Sequence, residues 1–388
     1  MLQNYFITNL LDLQGIKVTK YENFSNSNII HCSTKPTYPT CSCGGTVTIH
    51  DYRQQKVKHV PIGNIHTYIV IKKRRYKCKC CGKIFFENYE FLPKYKRITN
   101  LLRYYIIDIL RSPISYTEVA KRTNTSTNTV IRAFDDVNYS NKEIPEVLGI
   151  DEFKSNTEYG KYSVILTDIE NKKLVDIVES RTGEYLKRRI LNSKSRKNVK
   201  YVVMDMWKPY YELTKIMFPN AKIVIDKYRY VRQIFWAIEN VRKRIQKQLY
   251  KQYRITMKRS KKLILARYED LSNEQKCKLH IKLGISEDLE KAWYLKEAFY
   301  AVMESKSYEQ ANEMMQLWFD DVKESGLKEF NLAVKTIKNW YEPILNSFTC
   351  EYTNGYTEGK NNKIKVLKRI SYGVCNFNRF KQRIMHIT

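Results

Sequence analysis

The chain has 388 residues and a formal net charge of +29 at pH 7, because 69 lysines and arginines outnumber 40 aspartates and glutamates. A charge of this size indicates a polyanionic partner. No apolar run approaches the roughly 18 residues that a membrane span needs, so we expect nucleic acid and no membrane partner. The length predicts two to four domains, and the absence of signal-peptide features favours the cytoplasm.

Most of the nine cysteines lie in two short groups near the N-terminus, and each group is followed by glycine. A hairpin-like segment, Val57–Ile71, separates the two groups. Thiolates on glycine-turned knuckles are typical of a zinc ribbon, which we predict for residues 1–92. The predicted ligands of a structural Zn²⁺ ion are Cys41, Cys43, Cys78 and Cys81.

The two cysteine groups differ in regularity. Cys78 and Cys81 have the spacing of a standard knuckle, whereas Cys41 and Cys43 are one residue too close. Because of this irregularity, other residues remain alternative zinc ligands. A ribbon that binds no metal is a further interpretation. The alternative ligands are Cys32, Cys80, His50 and His59.

Residues 95–138 predict a helix-turn-helix domain. Apolar and aromatic residues repeat at helical spacing from Leu101 to Leu110, and Ser115 and Ser126 are placed as N-caps of two further helices. The last helix of such a domain enters the major groove of DNA. A plain helical connector is the alternative interpretation. The residues predicted to face the groove are Thr127, Asn128 and Arg132.

Residues 146–230 predict an α/β core that begins with the strand Glu146–Phe153 and its acid, Asp151. Two strands, a helix and a fourth strand follow, namely Lys161–Thr167, Lys173–Val178, Arg181–Leu191 and Lys200–Met204. The fourth strand is followed directly by Asp205. This order is that of a ribonuclease-H-like mixed sheet, in which the first and fourth strands are neighbours. Asp151 and Asp205 are therefore predicted to meet at one sheet edge.

A fifth strand, Ala221–Ile225, is followed by Asp226, and residues 231–345 then have an almost entirely helical, strongly charged pattern. A structureless loop of that length is uncommon, so we predict an all-helical insertion, after which residues 346–388 complete the core. The predicted fold class is multidomain α/β: a ribonuclease-H-like mixed sheet interrupted by the helical insertion and preceded by a zinc ribbon and a helix-turn-helix.

The C-terminal part of the predicted core carries Glu358 near a helix start, followed by a group of cations. The glutamate is either an ion-pair partner of these cations or a catalytic carboxylate beside DNA that the cations hold. The cations are Lys363, Lys365, Lys368 and Arg369.

Four sequence blocks, in this order, resemble those of the ISL3-family insertion-sequence transposases. They are Gly149–Phe153, Met204–Tyr210, Pro219–Lys227 and Asn354–Lys365 with Tyr372 and Gly373. The resemblance covers nearly the whole chain, including the cysteine groups and the helix-turn-helix. It implies a DDE transposase with a helical insertion before its glutamate, and the family's three acids fall on Asp151, Asp205 and Glu358.

Three carboxylates suit this chemistry, because DNA strand transfer needs water and then a 3′-hydroxyl to attack a phosphodiester in line. Two Mg²⁺ or Mn²⁺ ions about 4 Å apart can activate the nucleophile and neutralise the leaving oxygen. Asp151 would bridge both ions, while Asp205 would hold one and Glu358 the other. Asp226 is predicted to support the site, either next to the ligands or as the cap of the following helix.

The sequence therefore predicts a bacterial, nucleoid-associated DDE transposase that binds the terminal inverted repeats of its element and catalyses Mg²⁺-dependent cleavage and strand transfer. Its partners would be double-stranded DNA of the ends and the target. Because both ends must be held together, we expect a homodimer or higher oligomer on DNA. The alternative is a catalytically decayed or domesticated sequence-specific DNA-binding protein, against which the intact acid trio argues. A structural nucleoid protein is an interpretation from charge alone.

Overall fold

The computed structural model describes residues 15–140, 143–158, 160–372 and 376–387, together with Leu11 and Leu13. The first ten residues of the predicted domain 1–92 therefore lie outside the described part. The chain divides into two compact units, one formed by residues 1–139 and 364–388 and the other by residues 140–363. The predicted C-terminal part of the core, 346–388, is shared between these units.

Within its described residues, the first unit contains a five-stranded sheet. The strands are β1 (Ile16–Phe24), β2 (Ser27–Thr34), β3 (Val47–Ile62), β4 (Ile65–Cys78) and β5 (Ile84–Phe86). The order is β1-β2-β4-β3 with β5 against β4, and β2 and β4 form the parallel pair. Alternation of side chains buries Val57, Ile69 and Ile71 on one face. β3 and β4 extend well beyond the hairpin predicted at Val57–Ile71.

The first unit continues with a helical region that begins at residue 100. Its helices are α1 (Asn100–Ile109), α2 (Tyr116–Arg122) and α3 (Thr127–Phe134). The hydroxyls of Thr99, Ser115 and Ser126 accept hydrogen bonds from first-turn N–H groups, so the caps predicted at Ser115 and Ser126 are confirmed. Asn124 has a φ of 48° in the turn between α2 and α3. The apolar faces pack around Leu102, Val119 and Phe134.

The sheet of the first unit is joined to its helices by several polar contacts. The backbone N–H of Lys58 donates to the Arg97 carbonyl at 2.9 Å, and the N–H of Thr99 donates to the Lys58 carbonyl at 3.0 Å. The Lys58 ammonium donates to the carbonyl of Asn124, whose amide donates to the Tyr68 hydroxyl at 2.5 Å. The turn between α2 and α3 is thus fixed to β3 and β4.

The second unit is built on a mixed sheet. Its strands are β6 (Val147–Thr157), β7 (Gly160–Asp168), β8 (Lys173–Val178), β9 (Tyr201–Met204) and β10 (Lys222–Ile225), with α4 (Gly183–Leu191) and α5 (Lys208–Met217) between them. The order is β10-β9-β6-β7-β8; β6, β9 and β10 are parallel, and β7 is antiparallel to β6 and β8. The predicted strands and the predicted pairing of the first with the fourth are confirmed.

Beyond β10 the described chain is built from helices up to residue 346. They are α6 (Lys227–Gln248), α7 (Lys251–Arg259), α8 (Lys261–Leu265), α9 (Asn273–Leu283), α10 (Glu287–Met303), α11 (Tyr308–Ser325), α12 (Asn331–Asn339) and α13 (Tyr341–Asn346). Their buried faces share one apolar cluster with Ile150 and Met204 of the sheet. The Asn346 amide donates to the Ile223 carbonyl at 3.0 Å, so this helical stretch ends beside β10.

Within the described residues after 346, the helices are α14 (Gly355–Ile370) and α15 (Phe377–Ile387). α15 packs against the helices of the first unit. The Arg379 guanidinium donates to both carboxylate oxygens of Asp135 at 2.7 and 2.9 Å, and Arg383 donates to the carbonyls of Ser112 and Ile114. No helix in the described part of the chain combines the length and apolar character that crossing a membrane requires.

Candidate active site and cysteine cluster

Three acids lie where three neighbouring parallel strands of the second unit stop pairing with one another. Asp205 and Asp226 follow β9 and β10, whereas Asp151 lies within β6, which continues to Thr157 beyond the predicted strand end. The pairing of β6 with β9 puts Ile150 opposite Met204, so Asp151 and Asp205 come next at adjacent places. On the other side of β9, β10 ends in the same register and is followed by Asp226. The carboxyl ends of parallel strands share one edge of a sheet, which explains why residues so distant in sequence meet here.

The start of α14 packs closely against β6 and β7 because residue 149 is a glycine. A Cβ at Gly149 would lie 2.3 Å from the Thr167 Oγ1 atom and 2.8 Å from the Thr357 Oγ1 atom. Those two hydroxyls hydrogen-bond to each other at 2.7 Å in a buried position. This close approach brings Glu358 and Asn361, both on the first turns of α14, to the acid-bearing edge.

Asp151 is the most enclosed of the predicted catalytic acids, with 7 % of its surface exposed. The Asn361 amide donates to its Oδ2 atom at 2.6 Å, and the backbone N–H of Glu152 donates to Oδ1 at 2.8 Å. Burial and the negative charge of Asp205 raise the pKa of Asp151 to about 6. The Oδ1 atom of Asn361 is buried without a hydrogen-bond partner among the described residues.

A single arginine connects the other two acids. Arg229, in the first turn of α6, donates from Nε to the Oδ1 atom of Asp205 at 2.6 Å and from Nη2 to the Oε1 atom of Glu358 at 3.5 Å. Burial raises the pKa of Asp205 even though Arg229 acts in the opposite direction. Glu358 keeps about half of its side chain exposed.

Asp226 acts on the backbone around the site. Its Oδ1 atom accepts a hydrogen bond from the N–H of Tyr228 at 3.0 Å and caps α6, while its Oδ2 atom accepts from the N–H of Asn354 at 3.0 Å. It thus joins the start of α6 to the residue before α14. Capping is one of the two supporting roles that the sequence left open.

A cleft of about 210 Å³ opens over Asp151 and Asp205. One wall contains Trp207, whose ring meets that of Tyr210 edge to face at 4.3 Å. The Arg181 guanidinium lies 4.9 Å from a Trp207 ring centroid and forms an ion pair with Glu152 at 3.2 Å. The cleft therefore combines acids at its base with aromatic and basic groups at its sides, an arrangement suited to a phosphate-containing substrate.

The four predicted cysteine ligands come together in the first unit. Among the described residues, theirs is the one group of three or more potential ligand side chains whose donor atoms lie within 4.8 Å of one another. The Sγ–Sγ distances are 3.6 Å for Cys41 and Cys81 and 3.5 Å for Cys43 and Cys78. A Cβ at Gly45 would lie 2.9 Å from the Cys78 sulfur, so a glycine is needed for this closeness.

The backbone favours the thiolate at two positions of this cluster, Cys41 and Cys78, whereas the neighbouring cysteine side chains raise the pKa of Cys43. The N–H of Cys43 lowers the pKa of Cys41 to about 6, and the N–H of Cys81 lowers the pKa of Cys78. Thiolates are the form in which cysteine binds metal. The alternative ligands lie elsewhere: Cys32 is in the apolar core, His59 hydrogen-bonds Thr99, and Cys80 and His50 are exposed outside the group.

The chain matches known transposases along most of its length. The family model for the ISL3 transposase domain matches residues 148–384, more than half of the chain. The chain belongs to the ISL3 family of transposases. The family's helix-turn-helix domain matches residues 87–138, and the zinc-finger of the transposases of IS204, IS1001, IS1096 and IS1165 matches residues 31–81. The family predicted from the sequence motifs is confirmed.

Two curated proteins illustrate the range of the similarity. The transposase for insertion sequence element IS1001 of Bordetella parapertussis is 24% identical over 338 residues, which cover 84% of this chain and 82% of that protein. An ATP-dependent protease of Lactococcus lactis subsp. lactis is 41% identical over 56 residues, 14% of this chain and 18% of that protein. The first similarity covers most of both chains, whereas the second is confined to a short segment.

The predicted DNA-contacting residues of this transposase lie on two helices. On α3, Asn128 and Arg132 are exposed, and Thr127 is partly exposed. Arg132 also lines a cavity of about 480 Å³ together with Lys96 and Arg97. On α14, three of the four predicted cations are exposed and Lys368 is partly buried; the four are Lys363, Lys365, Lys368 and Arg369.

Sequence reasoning missed Asn361 and Arg229. Asn361 follows Glu358 by three residues, and this spacing puts two side chains on one face of a helix, so the signal was present in the motif. Arg229 follows Asp226 by three residues in the first turn of α6, but its partners are 24 and 129 residues away. No local pattern indicates such pairings.

Proposed function

We propose that this transposase binds the terminal inverted repeats of its insertion sequence and cuts and joins their strands with metal ions held by Asp151, Asp205 and Glu358. The observation that carries the proposal is that acids from separate segments come together: Asp151 and Asp205 line one cleft, and Glu358 contacts the same arginine, Arg229, as Asp205. The strand order of the second unit supports a ribonuclease-H-like core, and the return of the helical stretch to β10 supports its interpretation as an insertion.

The residues of the cleft fit a divalent metal such as Mg²⁺ or Mn²⁺. The donor set consists of carboxylate oxygens, which these ions prefer, and the unpartnered Oδ1 atom of Asn361 is a buried acceptor that a metal-bound water can satisfy. When bound, two such ions activate the attacking oxygen and stabilise the leaving one. The amide of Asn361 holds the Asp151 carboxylate in position through its hydrogen bond to Oδ2. Asp226 supports the site by fixing the starts of α6 and α14.

The first unit supplies the proposed DNA recognition, with a structural Zn²⁺ ion on Cys41, Cys43, Cys78 and Cys81. Lys56 lies 4.1 Å from the ring centroid of Tyr68, and Lys72 lies 4.5 Å from that of Tyr52. The contacts of Lys58 with the turn before α3 support one basic surface that continues from these strands to the recognition helix. Such a surface suits the phosphate backbone of DNA.

The proposed organisation keeps the boundaries predicted from the sequence. They are 1–92 for the zinc ribbon, 95–138 for the helix-turn-helix, 146–230 and 346–388 for the two parts of the core, and 231–345 for the helical insertion. The active form is proposed to be a homodimer or higher oligomer that holds both element ends, acting on nucleoid DNA in the bacterial cytoplasm.

The test is cleavage of a labelled duplex that carries the element's own end, with Mg²⁺ or with EDTA. Asp151→Asn, Asp205→Asn and Glu358→Gln are each expected to abolish cleavage and to keep DNA binding, because only the metal ligands are lost. Glu152→Gln is the matched control, since it removes a carboxylate of the same cleft that pairs with Arg181, and it should cut within about tenfold of wild type. Specific binding without cutting by the wild type would favour the decayed DNA-binding alternative.

A further inference from the structure

Arg229 is a cation fixed between two of the proposed metal ligands. Its backbone N–H donates to the Asp226 carbonyl at 3.0 Å, which fixes the residue in the capped first turn of α6. Its guanidinium contacts Asp205 at 2.6 Å and Glu358 at 3.5 Å, and its side chain is 22 % exposed. The guanidinium therefore already uses one oxygen of each of these two acids.

The acids of the cleft do not form a compact ligand group around a shared centre. Among the described residues, the cysteine cluster is the one set of three or more side chains that meets a 4.8 Å limit on donor separations, and the acids do not meet it. Carboxylates that share a poorly solvated site repel each other unless a cation lies among them. In this arrangement the cation is Arg229.

We propose that Arg229 is a built-in counter-ion that a divalent metal must displace from Asp205 and Glu358. The proposal rests on the function proposed above, and it concerns what this chain does before metal and DNA are both bound. Because metal and guanidinium compete for the same oxygens, Arg229 lowers the affinity of the site for metal. It also stabilises the acids against each other while the metal is absent.

The alternative is that Arg229 assists metal binding instead of opposing it. If Arg229 positioned Asp205 for the metal, its removal would weaken metal binding. Arg232 provides a matched control, because it lies three residues further along α6, lines the same cleft, and stacks 4.7 Å from the Trp236 ring centroid. Replacing it removes an equal charge from the same helix without touching the contacts of Asp205 and Glu358.

The experiment is calorimetric titration of Mn²⁺ into the 388-residue, zinc-loaded protein without DNA, with Asp205→Asn measuring background binding. Arg229→Gln is expected to bind Mn²⁺ about tenfold more tightly than wild type, the equivalent of one charge-assisted hydrogen-bond pair. Arg229→Lys keeps a charge but not the forked geometry, so its Mn²⁺ affinity should lie between those of wild type and Arg229→Gln. Arg232→Gln should stay within about twofold of wild type.

Unchanged or weaker Mn²⁺ binding by Arg229→Gln, beside measurable binding by wild type, would overturn the inference and leave the proposed metal site intact. Absence of Mn²⁺ binding in both proteins would overturn the inference and the metal site together. Binding by Arg229→Gln alone would support the displacement strongly. Circular dichroism checks that each variant is folded. If Arg229→Gln is not folded, the test uses Arg229→Lys. A Mn²⁺ affinity of Arg229→Lys no higher than that of wild type would then count against the inference.

Discussion

Gly149 sets how closely α14 approaches the sheet, and its replacement gives a prediction at the scale of one residue. In Gly149→Ala the new Cβ would lie 2.3 Å from the Thr167 hydroxyl, so the pair Thr167–Thr357 must separate. We expect a loss of about 2 kcal/mol in the free energy of unfolding, typical of overpacking. Urea unfolding followed by tryptophan fluorescence measures it, because all five tryptophans lie between residues 207 and 340.

Gly359→Ala is the control for that prediction. A Cβ at Gly359 meets no atom within 4 Å, and the residue lies in α14, where alanine is the better helix former. Its free energy of unfolding should stay the same or rise by up to about 1 kcal/mol. Equal destabilisation by both alanine variants would contradict the packing argument.

His59 gives a pH-dependent prediction. It is 4 % exposed and hydrogen-bonds to Thr99, the cap of α1, and burial lowers its pKa to about 4. Because this value lies below the ordinary 6.5, the unfolded chain binds more protons between pH 6.5 and about 4. Stability of the first unit therefore falls as the pH decreases through that window, by about 2 kcal/mol between pH 8 and pH 5.

Hydrogen exchange of the peptide that contains α1 measures this effect. His59→Gln removes this titrating group and should reduce the pH dependence of the local opening free energy. A smaller dependence should remain, because His386 hydrogen-bonds to the Ile107 carbonyl of α1 and burial lowers its pKa as well. His50→Gln, at an exposed position of β3, should retain the wild-type dependence. A wild-type pH profile in His59→Gln would assign the effect to another group.

At the scale of elements, the cysteine cluster gives a prediction from two adjacent residues. Cys81 lies in the four-sulfur group, whereas Cys80 is exposed outside it. Cys81→Ser should lose most of about one bound zinc ion per chain, while Cys80→Ser should keep it. Metal analysis of the purified proteins measures the zinc content. Loss of zinc from Cys80→Ser alone would mean that Cys80, and not Cys81, is a zinc ligand.

The strands of the second unit were predictable because short apolar runs end in acids, turns or helix caps. β3 and β4 were predicted too short, since their outer parts carry polar and charged residues that hide the alternation. Arg74 is an example: it looks like part of a surface run of cations, but it is 7 % exposed and forms a buried ion pair with Glu87 at 2.9 Å. The partner, Glu87, follows β5, and no pattern within β4 indicates that Arg74 pairs with it.

The candidate site was predictable to the same extent. Asp151 and Asp205 come directly after the paired segments of β6 and β9, whose order in the sheet is set by general topology, so their proximity could be inferred from the sequence. The contact of Arg229 with Glu358 depends on how the chain returns to the sheet after the helical stretch, which no local pattern specifies. The sequence therefore indicates the acids that are proposed to carry the chemistry, and the structure adds the side chains that contact them.

At the scale of the whole molecule, a net charge of +29 and the family assignment agree on DNA as the substrate. The helices from α6 to α13 share one apolar cluster with the sheet of the second unit. The helical stretch is thus part of the same folded core, which explains how more than a hundred residues can separate Asp226 from Glu358 while both reach one sheet edge.

The central claim is that Asp205 holds the metal that supports DNA cleavage, and replacement of its oxygen ligand by sulfur tests this most directly. Asp205→Cys should not cut the element's end with Mg²⁺, which prefers oxygen, but should recover cleavage with Mn²⁺, which accepts sulfur more readily. Asp205→Ala should remain inactive with both ions. Equal cleavage by Asp205→Cys with Mg²⁺ and Mn²⁺, or cleavage in EDTA, would contradict the account.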